Sequence, residues 1–542
     1  MVDQLQQPES HTADMQTYSI LGVQNLRVAA SRLERVSQEA QGHWRRGELQ
    51  RAAMTHDLEP AFVFQPLGAA DANQSASAAQ EPVMDTPAGG DLAWLTVTAL
   101  AQLLDRREVS SREITELMLR RIEQHGQAVN GYMTVLVEPA LAAADDADRR
   151  RAAGEAGILL GVPLAIKDLC DMRGLPTTAG SRILKDNVAQ HDAEVVRLLR
   201  NAGAVILGKT HMNEFAYAFA HPDYGPSRNP WDTTRSASGS SGGSGAVVAA
   251  GLAYAAIGSD TAGSIRFPSA ACGITGHKPT FDLVSRTGIV PFSWTLDHVG
   301  PMTRSSSDAI ALLDVIAGDA WSMTNVGRLN DLKGRRLGVD RRLLDGLHPD
   351  VEQTVEASLV MLQDLGAEIR DVQIADLDLV NMLAFSIMMP EVVSFHADWL
   401  RERPQDYTPG TRSAFEGGLA IPATQYVDAQ RLRSRFNHSF QALLIDHGLD
   451  AMVWPPSPGL PSAVIRESLV DAYYEFDMRW TLIGNLTGAP SVALPSGFTN
   501  ENLPLSVLLT GSPYQDILIL RIAELYQSVT DWHQRQPTGF VS

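Results

Sequence analysis

Apolar positions along this chain fall into two rhythms, one of helical spacing and one of short strand-like runs closed by glycine. Ser110 and Glu113 form a capping-box pattern, and Ile114, Leu117, Met118, Arg121 and Ile122 follow at helical intervals. A helix is therefore expected to open at Ser110 and to stop at Gly126. Ala193–Asn201 also reads as helix and gives way at Gly203 to the strand-like AVILGK. LKGRRLGVD, DLGAEIRDV and GAPSVALPSG read as further short strands between helices, which predicts an α/β fold with a mixed or largely parallel sheet.

Upstream, residues 1–68 carry a helical rhythm (Leu26, Ala30, Leu33, Val36), and residues 69–90 turn into Ala/Ser/Gly/Pro-rich text without apolar period. This predicts a helical N-terminal extension (1–68), a linker (69–90) and a main domain over 91–542. The apolar positions Leu26, Ala30, Leu33, Leu49 and Ala52 need cover, and a second copy of the chain is one way to supply it, so a homodimer is expected.

Composition narrows the function. The 542 residues carry 44 Lys+Arg against 63 Asp+Glu, a net charge of −19, which repels phosphate backbones and anionic lipid and argues against nucleic acid or membrane as partner. The longest apolar run, Ala246–Gly258, is rich in Ala and Gly and too short to cross a bilayer. Cys170 and Cys272 stand outside any CxxC or Cys/His cluster, so neither a disulfide framework nor a metal site is expected. The polar N-terminus has no secretory pattern, and a cytoplasmic location is the expectation.

The chemistry concentrates in Ser236–Thr280, SASGSSGGSGAVVAAGLAYAAIGSDTAGSIRFPSAACGITGHKPT. A flexible linker is one reading, although both small-residue clusters lead into apolar text. Gly239, Ser241 and Gly243 satisfy GxSxG, but a nucleophile elbow needs a buried strand before its serine, and NPWDTTRSAS is polar. Gly273, Gly276 and Lys278 suggest a phosphate cradle without its spacing. A fourth reading adds the upstream GVPLAIKDL, where Lys167 closes an apolar run. A lysine there either snorkels out, pairs with Asp168, or stays inside, where desolvation lowers its pKa and makes it a general base. Serines in the Gly-rich turns would then supply a nucleophile, and the N–H groups of Thr261, Ala262, Gly263 and Ser264 an oxyanion pocket.

On these residues the chain resembles the amidase signature family: GVPLAIKDL matches its lysine motif, GSSGGSGAVVAAG its Gly/Ser motif and GSDTAGSIRFPSAACGITGHKPT its nucleophile motif. KTHMNEFAY, SRNPWD, LDHVGPMTRS and GAPSVALPSG are similar to family text as well. The resemblance covers about Asp91 to the C-terminus and implies a single twisted mixed sheet flanked by helices. It also implies Ser264 as nucleophile, Ser240 as bridging serine after a cis Gly239–Ser240 peptide bond, and Lys167 as terminal base. Ser241 either hydrogen-bonds Lys167 or is an ordinary turn serine. The implied reaction is cleavage of a carbon–nitrogen bond in a small-molecule amide through an acyl-enzyme, with no cofactor or metal. Ala262 and His277 depart from the family's usual TGGS and GLKPT; His277 reads as a packed or capping residue, and Arg266, Asp260 and Asp168 as structural.

For the substrate, Met382, Leu383, Phe385, Ile387, Met388 and Met389, with Tyr473, Tyr474, Phe476, Met478 and Trp480, read either as an apolar mouth for aryl or alkyl amides or as core. Arg479 is the candidate for holding a substrate carboxylate. Primary amides, anilides, carbamates and ureas all stay open. The rival functions are membership of a transamidation complex, as its amide-cleaving component, and a non-catalytic scaffold.

Overall fold

The computed structural model describes residues 30–53, 91–318, 326–464 and 477–541. Thirteen strands are described: β1 (Tyr132–Val135), β2 (Pro163–Lys167), β3 (Val205–Thr210), β4 (Arg228–Asn229), β5 (Asp232–Ser236), β6 (Ala255–Asp260), β7 (Thr275–Lys278), β8 (His298–Thr303), β9 (Arg336–Val339), β10 (Glu368–Asp371), β11 (Ala451–Trp454), β12 (Ser491–Phe498) and β13 (Pro504–Gly511). Eleven form one sheet in the order β1-β3-β2-β6-β8-β7-β12-β13-β11-β9-β10, and β4 and β5 make a separate ribbon. The sheet is mixed: β2 runs parallel to β3 and β6, whereas β8 runs antiparallel to both β6 and β7. The strand expectations at AVILGK, LKGRRLGVD, DLGAEIRDV and GAPSVALPSG correspond to β3, β9, β10 and β12. Strands β2, β3 and β6 are buried along their whole length, which explains why they read as continuous apolar or small-residue runs rather than as alternation.

The capping box at Ser110 is formed, the Ser110 hydroxyl accepting from the Glu113 N–H at 3.1 Å while the Glu113 carboxylate accepts from the Ser110 N–H at 2.8 Å. The helix does not stop at Gly126, however. It runs to Val129 and ends at Asn130, whose left-handed φ of 47° breaks the ladder; a lone glycine inside a helix costs about 1 kcal/mol, which tertiary packing offsets here.

The Ala30–Ala53 helix lies on its own chain. Val36 and Ala40 are fully buried, Trp44 Nε1 donates to Ala420 O (3.2 Å), and Gln425 Nε2 donates to His43 O (3.0 Å). It packs against the Pro409–Gly418, Ala423–His447 and Val380–Glu402 helices. This part of the extension is covered from within, whereas Leu49, one of the positions that motivated a homodimer, is 61% exposed. Leu26 and the side chains of Ala30, Leu33 and Ala52 lie outside the described residues. Among the described residues one helix, Leu377–Glu402, is long and apolar enough to cross a membrane, and 72% of its most apolar stretch is buried in the fold.

Candidate active site

Lys167 is the last residue of β2, between β3 and β6, and its side chain is fully buried. Its Nζ donates to Ser240 Oγ and to Ser259 Oγ, each at 2.8 Å. It neither snorkels out nor pairs with Asp168, which is held by Lys209 (Nζ to Oδ1 2.8 Å) and by Thr178. Burial lowers the Lys167 ammonium to about 7, against a smaller opposing pull from Cys170, Asp260 and Asp297. Near neutral pH, then, an appreciable fraction is a free amine aimed at two hydroxyls.

Ser240 follows a cis Gly239–Ser240 peptide bond. The turn is pinned by the Asn213 N–H, which donates to Ser240 O at 3.3 Å. A Cβ on Gly239 would come within 2.5 Å of Asn213 Nδ2, so the close approach requires glycine. Ser241 does not reach Lys167. Its hydroxyl donates to Ser259 O (3.1 Å) and accepts from Ser259 N (3.2 Å), which fixes the end of β6 where the Ser259 hydroxyl meets the lysine. The second partner of Lys167 is thus Ser259, which sequence reasoning missed: it stands near the head of the nucleophile motif without a distinctive spacing, and only the β2–β6 pairing brings that strand alongside the lysine.

Ser264 sits in the turn after β6, joined to the first turn by the Ser241 N–H, which donates to Ser264 O at 3.2 Å. Its hydroxyl has no hydrogen-bond partner among the described residues and lines the cavity with Ser240. Asp260 organises the turn, accepting from Gly263 N (2.8 Å) and Ile265 N (3.1 Å) and pairing with Arg266 at 2.8 Å, both side chains fully buried. Burial alone would raise the Asp260 carboxyl, but Arg266 beside it holds it well below the usual carboxylate range. The Gly263 N–H is therefore committed to Asp260, a correction to its expected place in the oxyanion pocket. The N–H groups of Thr261, Ala262 and Ser264 have no such partner among the described residues. Ala262 is not among the residues with left-handed backbone, so a methyl group is tolerated where glycine is usual; Gly263 (φ 125°) could not be replaced so, because its Cβ would strike the Phe267 ring at 2.4 Å.

Ser240, Ser264, Thr261 and Ala262 open onto a cavity of about 1160 Å³ lined also by Tyr217, Phe219, Phe267, Phe292, Met388 and Met478 and by the Pro456–Ser462 segment. No described lining residue is charged or a histidine. Of the apolar residues singled out by sequence, Met388 and Met478 line this space. Met382, Leu383, Phe385, Ile387, Met389 and Trp480 belong to the core, and Tyr473, Tyr474 and Phe476 lie outside the described residues. Arg479 is held by Asp477 (Nε to Oδ2 2.6 Å) and does not line the cavity. The aromatic wall at Tyr217, Phe219 and Phe292 was not anticipated, because isolated aromatics in loop text carry no periodic signal.

The rival readings of the Gly/Ser segment fail on geometry. Gly242–Ala249 is a buried helix, not a linker. Ser241, the elbow candidate, is fully buried and does not reach the cavity. Lys278, the cradle candidate, is buried in β7 with its Nζ on Pro279 O at 3.0 Å. His277 is packed, its Nε2 3.0 Å from Asp516 Oδ1. No group of three or more His, Cys, Asp or Glu poised for a metal occurs among the described residues.

The sequence model of the family described as Amidase matches residues 113–520. A glutamyl-tRNA(Gln) amidotransferase subunit from Thioalkalivibrio sulfidiphilus is 37% identical over 82% of this chain and 99% of its own length. An amidase of Pseudomonas putida is 38% identical over 82% of this chain and 98% of its own. Among solved structures, an amidase crystal structure superposes with a TM-score of 0.73 at 31% identity, covering 80% of this chain and 99% of that one. With the mixed eleven-stranded sheet and the Gly/Ser turns in place, the chain belongs to the amidase signature family and is an enzyme acting on carbon–nitrogen bonds.

Proposed function

We propose that this protein hydrolyses the amide bond of an uncharged, largely apolar small molecule through a Ser264–Ser240–Lys167 relay. The observation that carries the substrate class is the absence of charge from the described lining of the cavity onto which Ser240 and Ser264 open. Burying an unpaired substrate charge there would cost several kcal/mol, about a thousandfold or more in kcat/KM. Neutral Lys167 takes the Ser240 proton as Ser240 takes that of Ser264. Ser264 Oγ attacks the carbonyl, and the N–H groups of Thr261, Ala262 and Ser264 receive the developing oxyanion. Ser240 then protonates the departing nitrogen, and water cleaves the ester by the reverse relay.

A second reading follows from the relatives named for amidotransferase: ammonia delivered within a complex. Glutamine as donor carries an ammonium and a carboxylate at its α-carbon, and the described cavity lining offers neither an oppositely charged partner. The experiment is a hydrolysis panel of neutral primary amides, anilides, carbamates and ureas beside glutamine and acidic amides, with Ser264→Ala and Lys167→Ala in parallel. Turnover of neutral members only, lost in both variants, is expected. Glutamine as sole substrate, or activity only with a co-purified partner protein, would establish the second reading instead.

A further inference from the structure

The β6–β8 ladder pairs Asp260 with His298, and the same register carried one step further sets Thr261 opposite Asp297. The Thr261 hydroxyl donates to Asp297 Oδ1 at 2.5 Å. The same carboxylate accepts from the Phe292 N–H at 2.9 Å and from the Ser293 N–H at 3.0 Å. Asp297 is 8% exposed and does not itself line the cavity, whereas Thr261 and Phe292 both do. Phe292 in turn stacks on Tyr217, with ring centroids 5.9 Å apart and planes 17° apart. The far side of the loop is held separately: Ser293 Oγ and Thr295 Oγ1 donate to Glu391 at 2.6 and 2.8 Å.

A carboxylate accepting three bonds from two cavity-lining residues and their neighbour transmits position, since moving the wall moves the acceptor of the Thr261 hydroxyl. The relay uses neither Asp297 nor the Thr261 side chain. We infer that Asp297 is a positioning residue which, through the Thr261 hydroxyl, sets the aim of the Thr261 N–H in the oxyanion pocket and couples that aim to the aromatic wall at Phe292. This inference rests on the proposed role of Ser264.

The test is the rate of labelling by an alkyl fluorophosphonate, whose addition at a serine also builds charge on oxygen, resolved into kinact and KI. Thr261→Val keeps shape and N–H but removes the hydroxyl; it is expected to lower kinact about tenfold or more with KI changed less than about twofold. Thr261→Ser, which restores the hydroxyl, is expected to recover the wild-type rate. Thr261→Val combined with Asp297→Asn should be no slower than Asp297→Asn alone, because the two act along one connection. Wild-type kinact in Thr261→Val, or losses that multiply in the double variant, would overturn the inference. If Asp297→Asn does not fold, the Val and Ser variants decide alone. Labelling that persists in Ser264→Ala would overturn the underlying reading and this inference with it, whereas loss in Ser264→Ala with a normal Thr261→Val removes this inference only.

Discussion

Lys167 and Ser259 meet at the junction of β2 and β6, Nζ 2.8 Å from Oγ, so the lysine has two hydroxyl partners, the second outside the proposed relay. Ser259 holds the amine on Ser240 without having to exchange a proton with substrate. Ser259→Ala should leave KM unchanged and lower kcat by about tenfold, because the amine gains rotational freedom while keeping its base function. Steady-state kinetics on any substrate found in the panel checks this; a fall as deep as that of Lys167→Ala would make Ser259 a relay member instead.

Activity should rise with pH through about 7, where Lys167 gives up its proton inside the fold. The base must be neutral to accept from Ser240, so protonation silences it and the acid limb of kcat/KM reports its titration. Lys167→Arg should abolish turnover at every pH.

Stability should move in the same direction. Burial depresses the folded-state value below that of an unfolded lysine, so between about 7 and the ordinary lysine value the unfolded chain binds more protons and stability climbs with pH. Lys167→Met should flatten that rise and raise the melting temperature at neutral pH while abolishing activity. Melting curves at several pH values read both effects, and a lower melting temperature for the methionine variant would refute the account.

Breaking the Asp260–Arg266 pair should unfold the nucleophile turn. Both side chains are fully buried, and Arg266 also donates to Thr481 O (2.7 Å) and Asn485 Oδ1 (2.6 Å). Arg266→Met strands the carboxylate and should cost about 3 to 5 kcal/mol, read from urea unfolding.

The N-terminal helix should behave as part of the catalytic unit. Val36→Asp with Ala40→Asp buries two unpaired charges in a helix that packs on the Pro409–Gly418 helix, whose Pro409 and Gly410 line the cavity. The melting temperature should drop by several degrees. A shift of apparent mass with no loss of stability would return the helix to the role of a dimer contact.

What the amino-acid order determined by itself was local. The capping box at Ser110, the strand text of β3 and β12 and the small-residue turns at Ser240 and Ser264 are written within a few consecutive residues, because caps, turns and strand runs are decided by near neighbours. The odd lysine at the end of β2 was legible for the same reason: its apolar run foretold burial, and burial foretold a lowered pKa. Tertiary structure alone decided which hydroxyls that lysine meets, since Ser259 lies 92 residues away along the chain. It also tied Thr261 to Asp297, closed the N-terminal helix over its own chain and left the described cavity wall without charge. Each of these depends on long-range sheet register and helix packing. Such contacts arise from strands and helices distant in sequence, whose pairing leaves no mark on the residues immediately beside them.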